Sequence, residues 1–111
     1  MNEINEIVSD IKSGKVKPIY LLTGEEPYYI DKISDFIEAN ILQEEEKEFN
    51  QTVMYGRDVE IEDIVGAAKR FPMMAEKQVI IIKEAQYLSR TIDKLAAYAK
   101  NPQPSTVLVL N

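Results

Sequence analysis

Neither cysteine nor histidine occurs anywhere in the 111 residues. Their absence removes disulfides, thiolate and imidazole metal sites, Cys or Ser–His nucleophile systems and histidine acid–base chemistry. Any catalysis would have to come from carboxylates, lysine, tyrosine or a bound nucleotide. Long apolar runs are also missing, for none approaches the roughly 20 residues that a membrane-crossing helix needs. The opening residues, MNEINEIVSD, have neither the basic nor the apolar region of a secretory leader. A cytoplasmic protein without a membrane partner is therefore expected. Positive charge is scarce: 13 Lys and Arg stand against 19 Asp and Glu, a net charge of −6. That balance opposes non-specific attraction to nucleic-acid phosphates. The rest of the composition, 45% apolar and 29% charged, is ordinary for a folded domain. A chain of this size buries roughly two-thirds of its unfolded surface, enough for one core.

The order of apolar patterns carries the fold. Ile4, Ile7, Val8 and Ile11 recur at helical spacing and Gly14 follows as a C-cap, which predicts a helix from residue 2 to 13. Pro18 introduces IYLLT, a run too short for a helix and suited to a buried strand. Pro27 fits a first helical turn, and Tyr29, Ile30, Ile33, Phe36, Ile37 and Ile41 continue one face to about residue 42. The acidic EEEKE run at 44–48 reads as a solvated helix end and loop. A second strand is expected over 49–55, ending at Gly56. Asp58 can cap a helix that turns Ile61, Ile64, Val65 and Ala68 inward and stops at Pro72. VIIIK, from Val79, reads as a strand covered on both faces. A helix over about 89–100 should turn Ile92, Leu95, Ala96 and Ala99 inward, and TVLVL closes the series as a fourth strand. Alternating strands and helices predict right-handed βαβ units, a three-layer α/β domain with a mainly parallel sheet. Residues 1–111 form one such domain. Because doubly wound domains generally run further than a fourth strand, the chain is expected to be a fragment truncated there.

In such a sheet ligands bind beyond the C-terminal ends of the strands, and the first strand ends at Gly24. A P-loop would offer Gly-x4-Gly-Lys-Ser/Thr at that point. Here Tyr29 replaces the second glycine, Ile30 the phosphate-binding lysine and Asp31 the magnesium hydroxyl, while Glu25 and Glu26 set two negative charges toward a triphosphate. Close backbone approach, a cation and a metal-anchoring oxygen are all lost. At the end of VIII, where an acidic residue would hold magnesium, Lys83 precedes Glu84. Read alone, Gly24 is equally an ordinary strand-to-helix turn, with Glu25 and Glu26 placed at the positive end of a helix dipole.

Three stretches taken together resemble the delta subunit of bacterial DNA polymerase III, in its N-terminal clamp-loader domain. They are Pro18 to Tyr28 (PIYLLTGEEPY), Phe71 to Lys83 (FPMMAEKQVIIIK) and Thr106 to Leu110 (TVLVL). The resemblance covers about residues 15–110. It implies a P-loop NTPase-like (AAA+-like) domain that has lost ATP binding and needs no cofactor. It further implies a non-catalytic subunit that joins ATPase motor subunits and the delta-prime subunit. That subunit binds the beta sliding clamp and opens it for loading onto primed DNA, with DNA contacts only in the assembled loader. The implied clamp contact is an apolar pair at the end of the helix before the third strand, which falls on Met73 and Met74, supported by Phe71 and Pro72. The family often carries Leu-Phe or Phe-Phe pairs there. Methionine departs from that pattern, although its flexible thioether fills irregular pockets.

The same residues have a simpler reading. An apolar cluster between a helix and a strand is usually core, and Phe71 continues the inner face of its helix. Met73 and Met74 are adjacent and follow a proline, so they cannot both extend one helical stripe and at least one reaches solvent. Lys69, Arg70 and Lys77 surround the pair and either steer an acidic partner or merely aid solubility. Tyr28 and Tyr29 are expected to pack their helix against the sheet. A competing function, a nucleotide- or small-ligand-binding α/β enzyme with an atypical loop at Gly24, rests on the placement of that glycine. A receiver-like phosphoacceptor is disfavoured because Lys83 stands where the acidic group belongs.

Overall fold

The computed structural model describes residues 2–22 and 27–111. Among these, four strands form one sheet in the order β1-β4-β3-β2 (β1, Ile19–Leu21; β2, Gln51–Tyr55; β3, Gln78–Lys83; β4, Thr106–Leu110). Every neighbouring pair is parallel, with Tyr20 opposite Val109, Ile81 opposite Val109, and Val53 opposite Ile81. β3 and β4 lie in the middle, and their continuous apolar runs follow from burial on both faces. Val79, Ile81, Val107 and Val109 point to one side and Ile80, Ile82, Leu108 and Leu110 to the other.

Each side is closed by helices, which makes three layers. On the first lie α1 (Asn2–Lys12) and α2 (Pro27–Asn40), which contribute Ile11, Ile33 and Ile37. On the second lie α4 (Ile61–Ala68) and α5 (Ile92–Ala99), which contribute Ile61, Ile64, Ala68, Leu95 and Tyr98. The chain crosses from β1 to β2 over one face and returns through β3 to β4 over the other, the doubly wound arrangement. α1 ends as its sequence predicts: Gly14 has φ 85°, the Lys15 N–H donates to the Asp10 carbonyl at 2.7 Å, and the Gly14 N–H donates to Ile11 at 3.1 Å. This is a Schellman cap.

Local departures from the expected boundaries have physical causes. The acidic run is not a loop: Glu44–Asn50 forms a helix, α3. Glu44, Glu45 and Glu46 fill its first turn, where negative charge meets the positive helix end. The Gln43 N–H donates to Glu46 Oε1 at 3.0 Å, and Lys47 pairs with Glu44 at 2.8 Å. Phe49 therefore belongs to α3, and β2 starts at Gln51. α4 is capped by Glu60, whose N–H donates to Asp63 Oδ2 at 3.1 Å, and not by Asp58, whose N–H closes the turn onto the Tyr55 carbonyl. A 3₁₀ segment, Ala85–Thr91, precedes α5. α5 buries Leu95 and Tyr98, leaving Ala96 and Ala99 exposed. The larger pair wins the interior because it buries more apolar area.

At the C-terminal edge of the sheet, β2 and β3 approach so closely that only glycine fits at position 56. Its N–H donates to the Lys83 carbonyl at 2.8 Å, and a Cβ there would sit 2.3 Å from the Glu84 backbone oxygen. Gly56→Ala should therefore destabilise the fold by about 1–3 kcal/mol, the usual range for overpacking. Urea unfolding checks this, and an unchanged midpoint would contradict the close approach.

Candidate functional site

The two groups of residues singled out by sequence lie at opposite edges of the sheet. All strands start at one edge, so the segment between α4 and β3, residues 69–77, sits at the N-terminal edge. The ends of β1 and β3, where a nucleotide would be sought, lie at the other.

The N-terminal edge is built around the end of α4. The last carbonyls of any helix have no partner within it; here the Arg70 N–H reaches the Ala67 carbonyl at 3.2 Å and the sheet supplies further partners. The Gln78 side-chain amide donates to the Ala67 carbonyl at 3.0 Å and the Arg70 carbonyl at 2.7 Å, and lies 2.9 Å from the Thr106 hydroxyl. Thr106, fully buried at the start of β4, donates its hydroxyl to the Ala68 carbonyl at 2.7 Å. The chain is thereby turned out of helical phase after Ala68. Phe71 does not continue the core face of α4 as expected; it is 77% exposed, because the helix has ended three residues earlier.

Past Pro72 both methionines reach water. Met73 is 61% exposed and Met74 fully exposed, with Met74 in the left-handed region at φ 56°. For an unbranched L-residue that conformation costs about 1–2 kcal/mol. The Met73 peptide is held by Asn50, the last residue of α3. Its Oδ1 accepts the Met73 N–H at 2.6 Å, and its Nδ2 donates to the Met73 carbonyl at 2.7 Å. Beside Met74 opens a groove of about 730 Å³, with Ile11, Val16, Ile41 and Leu42 in its wall. Lys69 and Arg70 are exposed, while Lys77 reaches the Pro104 carbonyl at 3.1 Å.

At the C-terminal edge, Gly24 and the side chain of Tyr29 lie outside the described residues. Ile30 turns inward and packs on the core beside α1, and Asp31 faces solvent from α2. Lys83 is half-buried. Glu84, at φ 56°, is committed to Arg57 through two hydrogen bonds, Nε to Oε2 at 2.9 Å and a terminal nitrogen to Oε1 at 2.7 Å. This pairing, and then the charge of Glu84, raises the Arg57 pKa above its ordinary value. The guanidinium also lies 5.8 Å from the Tyr87 ring. Tyr28, expected to pack on the sheet, is largely exposed, with the Lys32 ammonium 5.1 Å from its ring. Among the described residues no cluster of three or more acidic side chains could hold a metal, and no helix is long and apolar enough to cross a membrane.

The family model of the DNA polymerase III delta subunit matches residues 20–111, from β1 through β4. The chain belongs to the DNA polymerase III delta-subunit family. It is 27% identical to DNA polymerase III subunit delta of Bacillus subtilis (strain 168) over 95% of its own length and 33% of the relative's. The solved Bacillus subtilis DNA clamp loader delta protein superposes with a TM-score of 0.85 at 27% identity, over 96% of this chain and 34% of that one. The chain thus spans about a third of the length of the delta-subunit relatives it matches. The shared fold is the AAA+-like one that the sequence resemblance implies.

Asn50, Gln78 and Thr106 were not legible as site residues. Each acts on a carbonyl or peptide distant in sequence, and no local pattern marks such a contact. Replacing Gln78 with alanine should cost about 0.5–1.5 kcal/mol for each hydrogen bond lost, because the Ala67 carbonyl keeps the Arg70 N–H at 3.2 Å. Amide exchange across residues 69–77 should also speed up. Unaltered stability and exchange would show that the α4 end does not depend on this side chain.

Proposed function

We propose that the chain is the sliding-clamp-binding part of a non-catalytic clamp-loader subunit, and that Met73 and Met74 enter an apolar pocket on the clamp. The observation that carries this is the pair itself: two adjacent methionines held in water at the N-terminal edge by a fixed backbone. Exposed apolar side chains in such a setting mark partner sites. Phe71 widens the apolar surface to one side and Pro72 restricts the approach to it.

The family membership supports a sliding clamp as the partner. In this role the subunit binds the beta sliding clamp and opens it for loading onto primed DNA, alongside ATPase motor subunits and delta-prime, in the cytoplasm. DNA is met only in the assembled loader, in keeping with a net charge of −6. The nucleotide site is degenerate under this reading. Ile30, in the place of the phosphate lysine, is spent on the core, and Glu84, beside the place of the metal carboxylate, is spent on Arg57. Reassigning either would mean dismantling packing or an ion pair.

Burying each methionine contributes about 1.5–3 kcal/mol, so Met73→Ala combined with Met74→Ala should weaken clamp binding at least ~100-fold. The unfolding midpoint should hardly move, since both side chains are exposed. Surface plasmon resonance with purified clamp reads the first quantity and thermal unfolding the second. Binding at wild-type strength would remove the pair from the interface. Titration with ATP and magnesium in a calorimeter should give no saturable heat, and micromolar binding would favour the rival enzyme reading.

A further inference from the structure

We infer that Asn50 is a positioning residue that preforms the Met73–Met74 hook before the partner arrives. The inference rests on the clamp-binding reading and assigns the site a supporting residue outside its own segment. Asn50 is only 3% exposed although it is fully polar, and a buried amide is tolerated where its groups are paired. Both ends of this one are used. Beyond its two bonds to the Met73 peptide, Nδ2 donates to the Glu46 carbonyl at 3.1 Å. One side chain therefore ties the exposed segment to the frame of α3, 23 residues earlier in the chain.

The pattern is the one a neighbouring strand would offer, donor and acceptor to the N–H and carbonyl of the same residue. It fixes residue 73 from both sides and leaves residue 74 as the first free position. There the backbone turns into the left-handed region and throws the Met74 side chain fully into water. Without Asn50 the Met73 peptide loses the partners it has among the described residues. The segment would then sample many conformations, and the entropy of ordering it would fall on the docking step. The apolar side chains would be unchanged, but the geometry presenting them would be lost.

Asn50→Ala should therefore weaken clamp binding ~10-fold or more, the scale expected when pre-organisation is removed. In the free protein, Met73 amide exchange should speed up at the same time. Ile81→Val, a core truncation remote from the hook, serves as the control for lost stability and should bind as the wild type does. In the Met73→Ala, Met74→Ala background, Asn50→Ala should have no further effect on the clamp. If Asn50→Ala does not fold, Asn50→Ser takes its place: its short hydroxyl cannot reach both the Met73 N–H and the Met73 carbonyl, and a comparable loss of affinity is expected. Wild-type affinity in the Asn50 variants, with the methionine double variant still defective, would overturn this inference alone. An equal loss from Ile81→Val would also overturn it. Unchanged binding in the methionine variant as well would instead sink the clamp reading, while the Met73 exchange measurement still reports whether Asn50 holds the loop.

Discussion

The carbonyl groups left over at the end of α4 impose the constraint on which the exposed methionine segment depends. A helix that stops beside a buried sheet cannot leave those oxygens without donors. The two central strands answer with polar residues at their first positions, Gln78 and Thr106, before their apolar runs begin. The polar start of each strand and its buried remainder are thus parts of one solution. The runs fill both faces of the sheet, and the starts terminate the helix that covers one of them. Everything after Ala68 leaves the helix on a path set by that capping.

The separation of the two sheet edges gives the domain its functional logic. At the C-terminal edge the Glu84 carboxylate is taken up by Arg57, and Ile30 packs on the interior. At the N-terminal edge apolar groups are held outward. An AAA+-like scaffold is ordinarily read from its C-terminal edge, where ligands bind. In this chain Phe71, Met73 and Met74 lie exposed at the opposite end, so under the proposed reading the sheet would serve as a rigid mount for a protein contact.

Much of this could be read along the chain. The runs VIII and TVLVL mark the central strands because burial on both faces demands continuity. α1, α2 and α4 show themselves through apolar spacing, and Gly14 through its cap. Adjacency after a proline implies that at least one methionine reaches solvent; that both do is visible only in the structure. Failures occurred where tertiary context outweighs local signal. EEEKE looks like solvent-facing loop until its glutamates are placed on a helix N-terminus. Phe71 looks like core only if α4 is extended past Ala68. Leu95 and Tyr98 outcompete the alanines that a tidy stripe would have chosen. Asn50 reads as part of a strand that begins only at Gln51, and its partner, Met73, gives no sign in the sequence that it is held.

The left-handed backbone at Met74 restricts what evolution can write at the hook's tip. Branching at Cβ crowds the neighbouring peptide in that conformation, so valine, isoleucine and threonine are poor substitutes however apolar they are. Long unbranched side chains remain acceptable, and asparagine or glycine would relax the backbone while giving up the exposed apolar side chain. Position 73 carries no such filter. The two methionines, alike in chemistry, are therefore unequal in the variation they can absorb.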